Sequence, residues 1–311
     1  MVPCATVSPP SQSRVIAVAS NKGGVGKTTV ATNLAIALRA LREELPILLV
    51  TLDDQSLVER MFRIGGAPRE ARTLKHAFAQ RSFDGCAELG EFGVEFVAAA
   101  RELEAIKVRA AEPLMLKRML EASARGGVVI LDTKSDLEAL TRSALAACDL
   151  AILPVADRAS LDEAERAFAL LAEHGGRAAR GRVLFTLVDR RTKLDAEGRD
   201  LHERLAELVE QRGWPRFASV LSRSPRVEAL NSGTQRPRSI LHEARGTLAQ
   251  RQLRELAEEV AKLLGLGEGP SALEERAAPR EPASPRTASP APAPSFATDL
   301  RSALFRGLRG R

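Results

Sequence analysis

Residues 22–29, KGGVGKTT, place two lysines, three glycines and two threonines in one short stretch. An apolar run precedes the stretch and a helix-period run follows it, which is the setting in which glycine-rich loops bind phosphate. Glycines let successive backbone N–H groups turn inward around a β-phosphate, and the start of the helix adds partial positive charge. Gly23, Gly24, Val25, Gly26, Lys27, Thr28 and Thr29 are the expected nucleotide-binding residues. Lys27 is placed to reach β and γ oxygens, and the Thr28 hydroxyl to ligate Mg²⁺. Phosphate loops of the usual pattern begin with glycine six residues before the lysine, where this chain has Asn21, followed at once by Lys22. A loop that only cradles phosphate has no need of that second lysine.

The elements that must position this loop are legible as hydrophobic pattern. VIAVAS, PILLVTL, GVEFVAA, GVVILD, LAILPVA and RVLFTLV are short runs apolar at nearly every position, as strands buried on both faces require. Longer stretches of helical period, among them TTVATNLAIALRALR, separate them. The alternation predicts a doubly wound α/β domain, a mostly parallel sheet with helices on both faces. Its last helix is expected within residues 244–267, with Leu248, Leu253, Leu256, Val260 and Leu263 near one face. Residues 1–13 read as a flexible N-terminal segment and 14–267 as the domain. Residues 268–295 are rich in Pro, Ala and Ser and read as a disordered linker. In 296–311 a helix would align Phe296, Leu300, Leu304 and Leu308 opposite Arg306 and Arg309, a possible basic docking element.

Composition sets the outer bounds. The 311 residues carry a formal charge of +6, three cysteines without CxxC spacing and four scattered histidines, a pattern that encodes neither a zinc site nor a disulfide framework. No apolar run approaches the ~20 residues of a membrane span, and the first residues lack the basic and apolar regions of a secretory signal. A cytoplasmic protein is the expectation. The basic excess is concentrated between positions 216 and 245, where Arg216, Arg223, Arg226, Arg236, Arg238 and Arg245 face only Glu228 and Glu243 in sequence.

KGGVGKTT resembles the xKGGxGK[ST][ST] loop of the deviant Walker A ATPases, the ParA and MinD superfamily, and the resemblance runs through the domain. It implies a P-loop NTPase fold that binds Mg·ATP and hydrolyses it slowly. By the same resemblance Lys22 touches phosphate bound in a partner subunit, so that ATP sandwiched between two protomers makes a homodimer. ILLVTLDDQSL resembles the family's LLVDxDPQGN switch, which gives Asp53 the role of orienting the attacking water. GVVILDTKSDL resembles its Walker B segment and makes Asp132 the outer-sphere partner of Mg²⁺. Lys22, Lys27 and Asp53 are thus the implied catalytic residues, Thr28 and Asp132 the implied metal site. The chain departs from the family at Thr51, in place of the first switch aspartate, at Asp54, in place of proline, and at Lys134 and Ser135, in place of two prolines.

The six arginines lie in a segment resembling the one through which ParA-type members present basic residues to DNA. Non-specific DNA bound by the ATP dimer, and a nucleoid-associated location, are what this implies. Each phosphate neutralised adds about 0.9 to the negative slope of log affinity against log salt. A ParB-like activator or cargo adaptor is a further partner the resemblance allows. The competing reading is MinD-like: anionic membrane gripped through residues 296–311, with a membrane-peripheral location. GTP is disfavoured because TLVDRRTK replaces an NKxD segment, and by position Val188, Asp189 and Arg190 are expected near the adenine. A tyrosine autokinase of this fold needs tyrosines, of which there are none; a cluster-sharing reductase needs cysteines in other surroundings.

Overall fold

The computed structural model describes residues 13–53, 57–65, 72–99, 106, 112–123, 125–173, 180–191, 198–230 and 236–266. All of these fall in the first of two compact units, Met1–Arg276. The expected linker 268–295 and docking helix 296–311, and residues 1–12 of the expected N-terminal segment, lie outside the described residues.

The strands form where the sequence is continuously apolar: β1 (Arg14–Val18), β2 (Ile47–Leu52), β4 (Glu95–Val97), β5 (Val128–Thr133), β6 (Leu150–Val155) and β7 (Gly181–Phe185). Every residue of β2, β5 and β6 is buried, because both faces of the sheet are covered. The order is β3-β4-β2-β5-β1-β6-β7, all parallel except β3 (Glu88–Leu89), which runs antiparallel at one edge. Two residues show no period, so β3 could not be predicted.

Alternate side chains leave the two faces. Ile16, Val18, Leu49 and Ile130 join helices α1 (Lys27–Leu41), α2 (Leu57–Phe62), α9 (Ile240–Glu243) and α10 (Leu248–Leu263) in one core. Ala17, Val50 and Leu131 join α3 (Leu74–Gln80), α4 (Met115–Ala122), α5 (Ala139–Ala147), α6 (Arg158–Glu173) and α7 (Leu201–Gln211) in the other. The short α8 (Pro225–Leu230) follows α7. In α10, Leu253, Leu256 and Val260 are buried as expected, whereas Leu248 and Leu263 are exposed at its two ends. Leu248 lies five residues, well round the helix, from Leu253, and the stripe is completed by Ala257 and Ala261.

Three features of this frame position the site. The loop 19–26 joins β1 to α1, and β1 is a central strand with β5 and β6 on either side. The register sets Asp132 on β5 beside Val18 on β1 and beside Thr51 on β2, so the ends of three strands converge under the loop. Beyond β7, residues 215–223 run along the exposed sheet edge: Val183 donates to the Pro215 carbonyl (2.9 Å), and Leu221 to that of Phe185 (2.9 Å). Among the described residues no helix is long and apolar enough to cross a membrane.

Candidate nucleotide site

Gly24 (φ 76°) and Gly26 (φ 92°) hold left-handed backbone that residues with a Cβ rarely adopt, and Gly26 delivers the chain directly into α1. No side chain caps that helix. Its first-turn N–H groups therefore stay available to an anion, which is the physical basis of phosphate binding at such an end. The loop is braced from behind: Thr186 donates to the Val25 carbonyl (2.9 Å), and Asn33 donates to that of Thr29 (2.9 Å) while accepting from the Ile240 N–H (2.8 Å).

Lys27 is buried at the start of α1, its ammonium donating to the Lys22 carbonyl (3.1 Å) and to the Ser135 hydroxyl (2.6 Å). Burial pulls its pKa below the ordinary value, against the opposing charges of Asp132, Asp53 and Asp136. Asp132 is fully buried, and neither carboxylate oxygen makes a well-formed hydrogen bond among the described residues. Burial pushes it up to about 7; Asp53 adds to this, while the Thr28 side chain and Lys27 oppose it. A buried carboxylate left short of partners beside a threonine hydroxyl and a lysine suits a divalent cation, which would supply the missing charge. Thr28 and Asp132 are the residues that would hold Mg²⁺. Asp53, also buried, directly follows β2 and lines a cavity bounded by the loop.

That cavity, of about 490 Å³, is lined by the loop from Gly24 to Val30, by Asp53 and Ser135, and by a wall from distant segments. Leu187, Leu221, Val227 and Leu253 make the wall apolar, as a base requires. Ser222 and Gln252 give it a polar edge; Gln252 accepts from the Ser222 N–H (2.9 Å) and donates to its hydroxyl (3.0 Å). Leu187 holds φ 54°, a left-handed conformation costly for leucine, where the chain turns from β7 into the cavity. Of these wall residues only Leu253 was named from sequence, and then as a core-facing position of the last helix; no motif marks the wall, and only the tertiary fold brings it together.

The other expected residues lie as follows. Asp189 is not among the residues lining this cavity. It lines a neighbouring one that shares Thr186, Leu187 and Glu228, and Arg191 grips its carboxylate (2.8 and 2.6 Å) and holds it well below the usual range. Lys22 forms an ion pair with Asp157 of its own chain, each about a third to two-fifths exposed. Desolvation raises Asp157, but bonds from Lys22 and Ser160 outweigh it and keep the carboxyl below its ordinary value. Asp54 lies outside the described residues.

The arginines of 216–245 do not form one open strip. Arg216 pairs with Glu210 (3.1 Å), Arg223 with Glu228 (3.0 Å) and Arg238 with Glu243 (3.3 Å). Arg226 donates to the Glu243 carbonyl (2.6 Å). Arg236 reaches across to the end of α2, donating to the carbonyls of Arg60 (2.9 Å), Met61 (3.2 Å) and Arg63 (2.9 Å), and pairs with Glu91 (2.8 Å). Arg245 borders a separate cleft with Arg39, Phe92 and His242. Local sequence counts two carboxylates in this segment, and the fold brings Glu210 and Glu91 from outside it.

The chain is similar to known proteins along most of the described domain. A family model described as an AAA domain matches residues 13–165. The chromosome-partitioning ATPase Soj of Thermus thermophilus is 32% identical over 254 residues, 79% of this chain and 95% of that protein. The chromosome partitioning protein ParA of Caulobacter vibrioides is 31% identical over 150 residues, 46% of this chain; the match spans only 55% of that relative's length. Among solved structures, MinD of Pyrococcus horikoshii complexed with Mg-ADP superposes with TM-score 0.63 at 21% identity, covering 82% of this chain and 98% of that one. Cobyrinic acid a,c-diamide synthase of Mycobacterium smegmatis, with bound ATP analogue and magnesium, gives 0.62 at 21%, covering 82% and 97%. At such identity these two likenesses concern the fold alone.

Proposed function

This chain belongs to the ParA and MinD superfamily of P-loop ATPases, and from that premise we propose that it is an ATP-dependent dimerising switch. As the ATP dimer it binds DNA non-specifically and positions or partitions a plasmid, chromosome region or protein cargo, and slow hydrolysis resets it. Mg·ATP binds with its phosphates on the loop 22–29, Lys27 on the outer phosphates and Mg²⁺ held by Thr28 and Asp132. The metal supplies charge neutralisation on the phosphate oxygens; Asp53 orients the attacking water.

The observation that carries this reading is Lys22. The loop already has Lys27, and the Lys22 ammonium is tethered by one partly exposed ion pair to Asp157. Exposed pairs of this kind contribute about 0–1 kcal/mol, so a second subunit's phosphate can take the lysine at little cost. Dimerisation would double whatever arginine surface each protomer offers, and so raise DNA affinity and salt dependence together. A ParB-like activator or cargo adaptor completes the cycle by stimulating hydrolysis.

The test is DNA retention by wild-type protein with Mg·ATP, with Mg·ADP and without nucleotide, across a salt series. Retention confined to ATP, with a clearly negative salt slope, is expected. Equal retention in all three states, or a slope near zero, would remove the DNA switch.

A further inference from the structure

Ser135 occupies a position where the family carries proline, and the structure makes it part of the phosphate site. It is the third residue after Asp132, on the turn that leaves β5. Its hydroxyl accepts from the Lys27 ammonium at 2.6 Å. It also overlies the first loop glycine: a Cβ built on Gly23 would come within 3.8 Å of it. Ser135 is exposed on the wall of the nucleotide cavity, not packed into the core.

A serine hydroxyl has one proton to donate and two lone pairs, and an ammonium has three protons. Accepting from Lys27 leaves the Ser135 O–H without an acceptor among the described residues, at the cavity wall. Lys27, in turn, gives one proton to Ser135 and one to the Lys22 carbonyl, and keeps a third. Lys27 is the loop group read as reaching the γ oxygens, so a hydroxyl bound to its tip and lining the same cavity would be within reach of the same oxygens.

Resting on the nucleotide-site reading above, we infer that Ser135 is a γ-phosphate contact that the family's proline cannot supply. It donates its hydroxyl proton to a γ oxygen while steadying Lys27 for the same group. It thereby favours nucleoside triphosphate over diphosphate. A serine that merely parked Lys27 would support both nucleotides alike, since Lys27 serves the β-phosphate too.

Calorimetric titration of a non-hydrolysable ATP analogue and of ADP, each with Mg²⁺, into wild type and the Ser135→Ala, Ser135→Thr and Ser135→Pro proteins decides it. Loss of one hydrogen bond to a charged group predicts about tenfold weaker analogue binding by Ser135→Ala and Ser135→Pro, with ADP affinity within about twofold of wild type. Ser135→Thr, which keeps the hydroxyl, restores the analogue. Equal weakening of both nucleotides, or no change in either, would overturn the assignment, with thermal melting checking that each variant is folded. Wild-type protein that binds neither nucleotide would overturn the site itself, a failure distinct from one confined to Ser135.

Discussion

The loop 22–29 and the arginine-rich stretch 216–245 are both basic by sequence, yet the fold uses them in opposite ways. In the loop, glycine φ values and the ends of β1, β2 and β5 set Lys27, Thr28 and Asp53 on one cavity, with Asp132 fully buried on β5. In the second stretch five of the six arginines find a carboxylate or carbonyl, from Glu210 to the end of α2. A motif that constrains backbone fixes where charge goes. A charge count fixes only how much there is.

The contrast is broken most easily at the loop. Lys27→Ala removes the buried ammonium on the phosphates and is expected to weaken ATP by about a hundredfold or more, given what a desolvated charged hydrogen bond contributes. Calorimetry reads it directly; affinity near wild type would mean that the phosphates lie elsewhere. Next comes Asp132→Asn, which should lose most Mg²⁺-dependent affinity while stabilising the nucleotide-free protein at pH 8. The sign follows from linkage: a carboxyl raised from 3.8 to about 7 binds more protons folded than unfolded. Stability conferred by it is present below pH 4 and declines as pH rises to about 7, at roughly 1.4 kcal/mol per pH unit. Melting curves should therefore separate variant from wild type at pH 8 and converge near pH 4.

In the arginine stretch the expected effects are smaller and of two kinds. Arg236→Ala should lower stability by about 1 kcal/mol, the order of a net hydrogen bond to a charged group at a half-exposed site, because it releases the end of α2. Its DNA salt slope should stay as in wild type. Arg223→Ala breaks only an exposed pair with Glu228, so stability should move by less than about 0.5 kcal/mol. If Arg223 meets phosphate, the slope should fall by about 0.9 for each phosphate left without its arginine. Identical behaviour of the two variants would erase the distinction between a structural and a surface arginine.

The same distinction explains what the sequence made legible. Continuous apolar runs located the six parallel strands because burial on both faces leaves no polar position to interrupt them. Asp53 and Asp132 were singled out by the resemblance of their segments to the family's switch and Walker B, at the carboxyl ends of two such runs. Leu187, Leu221 and Gln252 could not, since they reach the cavity from β7, the edge segment and α10. Arg236 was indistinguishable from its neighbours because its partners, the carbonyls at the end of α2, lie more than 170 positions away in sequence. Ser135 stood out only as a departure, and its bond to Lys27 gives that departure a chemical meaning.

Lys22 joins the two regions in the proposed switch, since its side chain makes one partly exposed ion pair within its own chain and is the group proposed to bring two arginine surfaces together. Light scattering of wild type and Lys22→Ala with Mg·ATP, Mg·ADP and no nucleotide is the most direct measurement. Wild type should double its mass with ATP alone, while Lys22→Ala still binds ATP and remains a monomer. A wild type that stays monomeric with ATP bound, or a Lys22→Ala protein that dimerises equally well, would contradict the account.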